Sequence, residues 1–144
     1  MLVHQILGSK ASADVTTVTR DSSVADAAKL LSEKRIGTVV VSADGRSAEG
    51  ILSERDIVGE LGRVGPSCLE RQVGEMMTAN PVTCAPGDAA DAVLAKMTEG
   101  RFRHMPVVKN GEMVGLISIG DVVKARLSEL QTERDALEGM IAGH

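Results

Sequence analysis

Two stretches of this 144-residue chain carry the same pattern of groups that could do chemistry. Gly50, Ser53 and Asp56 recur as Gly115, Ser118 and Asp121, all at one constant offset, in a Gly-x-x-Ser-x-x-Asp arrangement. A Ser followed three residues later by an acid is a helix capping box, in which hydroxyl and carboxylate satisfy free first-turn amides and stabilise the helix by about 1 kcal/mol. The same pair can also serve a ligand. Each copy follows an apolar run that reads as a strand and precedes a stretch that reads as a helix. N-terminal amides at such a junction favour an anion, and strand ends line a crevice. A carboxylate placed there accepts hydrogen bonds from both hydroxyls of a ribose, while the Ser hydroxyl and the amides take a phosphate. Capping and binding are compatible in one Ser.

The elements that must position these groups repeat as well. In the first half, Val15 to Val18 is a short β-prone stretch, and Asp21-Ser22-Ser23 offers an N-cap. Val24, Ala27, Ala28 and Leu31 form one apolar helix face; Thr38 to Val41 and Ile51-Leu52 read as strands around the Asp44-Gly45 turn; a second helix starts at Ser53. In the second half, Pro86-Gly87-Asp88 opens a helix with Ala90, Val93, Leu94 and Met97 on one face. Val107-Val108, the Asn110-Gly111 turn and Val114 to Ile117 then form a hairpin. Asp26 with Asp91 and Val18 with Thr83 keep the offset of the Ser–Asp motifs. Arg35 to Val41 matches Arg101 to Val107 at an offset longer by a single position, which places one inserted residue in the second helix-to-strand turn. The order strand, helix, strand, strand, helix occurs twice. Units of about 50 residues bury too little alone, so the expected fold is α/β, with two β-α-β-β-α repeats packed face to face about a pseudo-two-fold axis. The boundaries read as 14–61 and 77–128 for the repeats, 62–76 for a linker marked by Gly62, Gly65 and Pro66, and 129–144 for a C-terminal helical tail. Val123, Leu127, Leu130, Leu137 and Ile141 make a heptad-like stripe interrupted at Arg134, a face that seeks a partner.

Composition excludes several classes of function. Without Trp or Tyr and with one Phe, Phe102, the chain has no stacking platform for single-stranded nucleic acid. Sixteen basic against twenty acidic residues leave a net charge of −4, which repels a polyanion, so no nucleic-acid partner is expected. No apolar run reaches a membrane span, and Met1 to Gly8 lacks the layout of a secretory signal, so a cytoplasmic protein without membrane association is expected. Cys68 and Cys84 have no Cys-x-x-Cys spacing and no neighbouring His, which suggests free thiols and no metal site. His4, His104 and His144 are scattered, and no zinc-protease, esterase or phosphate-loop motif occurs. Nothing assembles a nucleophile with its base, so no catalytic residues and no catalytic cofactor are expected.

On the duplicated Gly-x-x-Ser-x-x-Asp, the Arg-His-Met-Pro-Val-Val run at 103–108, Met76-Met77-Thr78 and Pro81-Val82, the chain resembles the tandem cystathionine β-synthase (CBS) domain pair, or Bateman module, over about residues 14 to 128. Within that family it is similar to small stand-alone bacterial members. The resemblance implies a regulatory module without catalysis that binds AMP, ADP, ATP or NAD in clefts between the repeats. Carried over by position, it implies that Asp56 and Asp121 hold ribose, with Ser53 and Ser118 near ribose or phosphate. Asp121 would face Thr17, Val18, Ile36, Gly37 and Thr38; Asp56 would face Val82, Thr83, Phe102, Arg103 and His104. Arg103 and His104 match positions that often carry phosphate-binding cations, and Arg55 is a further phosphate candidate, while Gly37, Thr38 and Gly120 at the matching places are uncharged. The resemblance also implies a homodimer that relays nucleotide status to an unknown regulated protein. Two readings from other classes stay beside it: a ligand-free structural dimerisation module in which Ser and Asp only cap, and an accessory oligomerisation subunit of an enzyme encoded elsewhere.

Overall fold

The computed structural model describes residues 1–10 and 14–141. The first unit comprises β1 (Thr17–Val18), α2 (Val24–Lys34), β2 (Thr38–Val41), β3 (Gly50–Ser53) and α3 (Glu54–Val64), and is preceded by α1 (Val3–Ser9). A 3-10 helix (Pro66–Glu70), α4 (Val73–Met76) and β4 (Thr78–Ala79) lead into the second unit: α5 (Ala90–Gly100), β5 (His104–Lys109), β6 (Glu112–Ser118) and α6 (Ile119–Ile141). Ser23 caps α2 by accepting from the Asp26 amide. Asn110 and Gly111 both take positive φ, 54° and 78°, which lets a two-residue turn match the twist of β5 and β6.

Parallel pairing corrects the repeat register. Val18 pairs with Val41 and Cys84 with Val107, so Val18 matches Cys84 rather than its neighbour Thr83. The buried helix faces agree: Val24, Ala27 and Leu31 correspond to Ala90, Val93 and Met97, at the same offset as Val18 and Cys84. Ser53 and Ser118 keep the shorter offset, so the odd residue lies in the loop between the hairpin strands, longer in the first unit, and not in the helix-to-strand turn. An Asp-Ala pair common to both helices mimics register, but core burial decides it.

The sheets show how the halves are joined. β1, β2, β3 and β4 form one sheet, in which β4, from the segment leading into the second unit, pairs antiparallel with β3 of the first. The 62–76 segment is folded: Cys68 and Val73 are fully buried, and Val73 packs with Leu31, Val39 and Leu52 in the first core. Reciprocally, α1 packs on the second unit. Val3 and Ile6 join Val93, Met97, Met105, Ile117 and Val122 in that core, Leu7 lies against Gly115, and Leu2 bridges Ala89. Each unit's leading segment thus covers the other unit's core. The sequence reading contained no helix before β1, and α1 is a finding of the fold. α6 runs without a break from Ile119 to Ile141, so the expected tail continues the last helix; residues 142–144 lie outside the described residues. Among the described residues no helix is long and apolar enough to cross a membrane. Both cysteines are free and buried, and burial pushes the Cys84 thiol up to about 11, with Asp88 acting in the same direction.

Candidate functional site

Both Ser–Asp pairs sit where β3 meets α3 and β6 meets α6. Ser53 N donates to Asp56 Oδ2 at 2.9 Å, and Asp56 N to Ser53 Oγ at 3.3 Å. Ser118 N donates to Asp121 Oδ2 at 2.9 Å, and Asp121 N to Ser118 Oγ at 3.1 Å. The capping geometry is formed at both junctions. It is local, because each bond links a Ser to the Asp one helical turn on, and it leaves the other faces of the carboxylates to be decided by what the fold brings opposite them.

Equivalent positions meet at the centre. Thr38 Oγ1 and His104 Nδ1 lie 3.1 Å apart, and Thr38 matches His104 in the corrected register. Glu54 N donates to Gly37 O, and at the equivalent place Ile119 N donates to Arg103 O. A pseudo-two-fold axis therefore runs beside the Thr38–His104 contact, with one cleft on each side; Gly37 and His104 line both. Burial holds the His104 imidazole below its usual range; Asp121 and Glu54 oppose this, while Lys10 and Arg103 add to it.

The first cleft, about 640 Å³, brings together Ser53, Arg55, Asp56, Val82, Phe102, Arg103 and His104, all expected from sequence. It also recruits Thr78, Asn80 and Arg101, which sequence reasoning missed. Arg101 ends α5 in the left-handed conformation, φ 57°, as Arg35 ends α2 at φ 53°; the helix-ending position was the available signal. Among the described residues, none of Arg55, Arg101 and Arg103 takes part in an ion pair within 4.0 Å. Thr83 is exposed and lies outside the lining of this cleft.

The second cleft, about 570 Å³, is lined by Ile36, Gly37, Thr38, His104 and Ser118, with Val15, Thr16 and Lys34 in place of the expected Thr17 and Val18. Val18 packs instead against the first core. Asp121 is not in the wall; Lys10 is, with Nζ 3.0 Å from Asp121 Oδ2 and donating at 2.9 Å to Leu116 O. Burial raises the Asp121 carboxyl, but the Ser118 amide and Lys10 outweigh it and hold it below the usual carboxylate range.

Comparison with known proteins fits this paired geometry. The CBS domain model matches residues 5–63 and again 73–128. The chain belongs to the CBS domain family. Both CBS matches take in a leading segment, α1 in the first and α4 in the second, in keeping with the reciprocal packing. A CBS-domain containing protein from Agrobacterium tumefaciens has a crystal structure 43% identical, with TM-score 0.82, covering 88% of this chain and 99% of that one. The CBS domain pair of protein MJ0100, solved in complex with 5′-methylthioadenosine and S-adenosyl-L-methionine, is 25% identical with TM-score 0.77, over 90% of this chain and 98% of that one. Among curated proteins, a mitochondrial CBS domain-containing protein of Arabidopsis thaliana is 35% identical over 87% of this chain, which spans 63% of that relative's length. The fold is therefore that of a CBS domain pair.

Proposed function

We propose that this CBS pair is a regulatory module without catalysis that binds an adenine nucleotide, AMP, ADP, ATP or NAD, and relays its occupancy to a regulated protein. The observation that carries this reading is the first cleft: two carboxylates, Glu54 and Asp56, beside three arginines, Arg55, Arg101 and Arg103, that no acid neutralises by an ion pair among the described residues. A carboxylate suits the two hydroxyls of a ribose, and guanidinium groups suit phosphate oxygens bidentately. Phe102, Ile51 and Val82 offer apolar surface for a base. The adenosine compounds in the MJ0100 complex support the nucleoside part. The arginines favour a phosphate-bearing ligand, since they outnumber the two carboxylates of the cleft and leave it an excess of positive charge.

A second reading rests on the capping boxes, whose hydrogen bonds close within the chain itself, and makes the chain a structural module. Calorimetric titration of AMP, ATP and NAD, with Asp56→Ala as variant, separates the two. The nucleotide reading expects binding that Asp56→Ala removes from one site. The structural reading expects no heat in any titration and a loss of about 1 kcal/mol in stability. Assembly belongs to the same proposal. Leu127, Leu130 and Leu137 are 63%, 49% and 58% exposed on α6, and their heptad-like spacing fits a second copy of the same helix, as in a homodimer.

A further inference from the structure

The two clefts carry the same Ser–Asp motif, yet only one presents its carboxylate. Asp56 lines the first cleft, whereas Asp121 stands behind Lys10, whose ammonium lies 3.0 Å from Asp121 Oδ2 and donates to Leu116 O at 2.9 Å. That ammonium is placed by the fold. Lys10 follows α1, its amide donating to Leu7 O, and α1 is fixed to the second unit by Val3 and Ile6 in the core and by the Val3 and His4 amides on Asp88 O and Pro86 O. The corresponding position before the second unit is Asn80: the Val3 amide on Asp88 O matches the Val73 amide on Ser22 O, and Leu7 against Gly115 matches Met77 against Gly50. This aligns Lys10 with Asn80, a residue that lines the first cleft and brings no charge. The motif cannot produce this asymmetry, because both motifs are alike; a single residue on the exchanged segment does.

We propose that Lys10 is a tethered competitor that ranks the two clefts, so that ligand fills the Asp56 cleft first and enters the Asp121 cleft only by displacing Lys10. The proposal rests on the nucleotide-binding reading above. A ribose hydroxyl must donate to the acceptor that the ammonium already uses. A competitor on the same chain acts at high effective concentration and loses little further freedom on binding. The pair is partly exposed, with side chains 29% and 24% accessible, so screening moderates it. Together with the hydrogen bond to Leu116 O, its displacement lowers affinity by about tenfold. Once displaced, Lys10 frees the end of α1 from the β6–α6 junction, which gives the second binding event a structural consequence that the first lacks.

The test is calorimetric titration of the full chain with AMP as probe, comparing the unmodified protein with Lys10→Met, which removes the ammonium and keeps an unbranched side chain, each also in an Asp56→Ala background. The unmodified protein is expected to bind AMP in two phases about tenfold apart, with Lys10→Met tightening only the weaker phase until the two merge. With Asp56→Ala only the weak phase should remain, and Lys10→Met should strengthen it by the same factor. An unchanged weak phase in Lys10→Met, or a weakened one, which would make Lys10 a phosphate partner, overturns the ranking while leaving the nucleotide reading in place. Absence of AMP binding in every protein overturns the nucleotide reading and the ranking together.

Discussion

Truncating Ile6 to Ala tests whether α1 is a structural part of the second unit or an appended arm. Ile6 is 2% exposed and packs in one cluster with Val3, Val93, Met97, Met105, Ile117 and Val122. Removing its outer carbons leaves a cavity bordered by α1, the β5–β6 hairpin and two long helices, and such a site collapses poorly because strands and helices both resist displacement. Ile→Ala in a packed core costs about 3 kcal/mol, within the usual span for that truncation. For a chain of this length, each kcal/mol lowers the melting temperature by about 4 °C, so a fall of about 12 °C is expected. His4→Ala on the same helix is the control: His4 is exposed, and its loss should change stability by under about 0.5 kcal/mol. Scanning calorimetry of the two variants side by side gives the answer. If Ile6→Ala melts within about 2 °C of His4→Ala, α1 opens before the core unfolds, and the reciprocal packing of leading segments contributes little to stability.

Two further outcomes follow from named contacts. His104 is held below its ordinary value of 6.5 chiefly by burial, so the unfolded chain binds its proton first as pH falls. Stability contributed by the neutral imidazole is present above 6.5 and declines below it. Denaturant titrations across that range should show the decline, and His104→Gln should flatten it, whereas an unchanged slope would assign the dependence to other groups. On α6, Leu130→Glu with Leu137→Glu alters two exposed side chains and should leave monomer stability nearly unchanged while converting a dimer to a monomer in light scattering; equal dimerisation of the variant would place the interface elsewhere.

By itself the sequence determined the parts that rest on short-range chemistry. The capping boxes at Ser53 and Ser118 close within one helical turn, the Asn110-Gly111 turn is set by its own φ angles, and the apolar faces of α2 and α5 are written at helical spacing. The duplication, and with it the family, was legible for the same reason. Register was not, since Asp26-Ala27 and Asp91-Ala92 align by identity while the core selects Ala27 and Val93. α1 was hidden because a helix as short as Val3–Ser9 cannot be declared by periodicity and forms only when Val3 and Ile6 find a core to enter. Arg101 reached the first cleft because α5 ends there, and Lys10 reached Asp121, in the opposite half of the chain, because α1 crosses to the other unit. The helix-ending position was a local signal for Arg101, whereas the placement of Lys10 has none. The identity of each site's carboxylate was fixed by hydrogen bonds within one turn of chain; the charge set against it was decided only when long-range burial chose which segment covers which core.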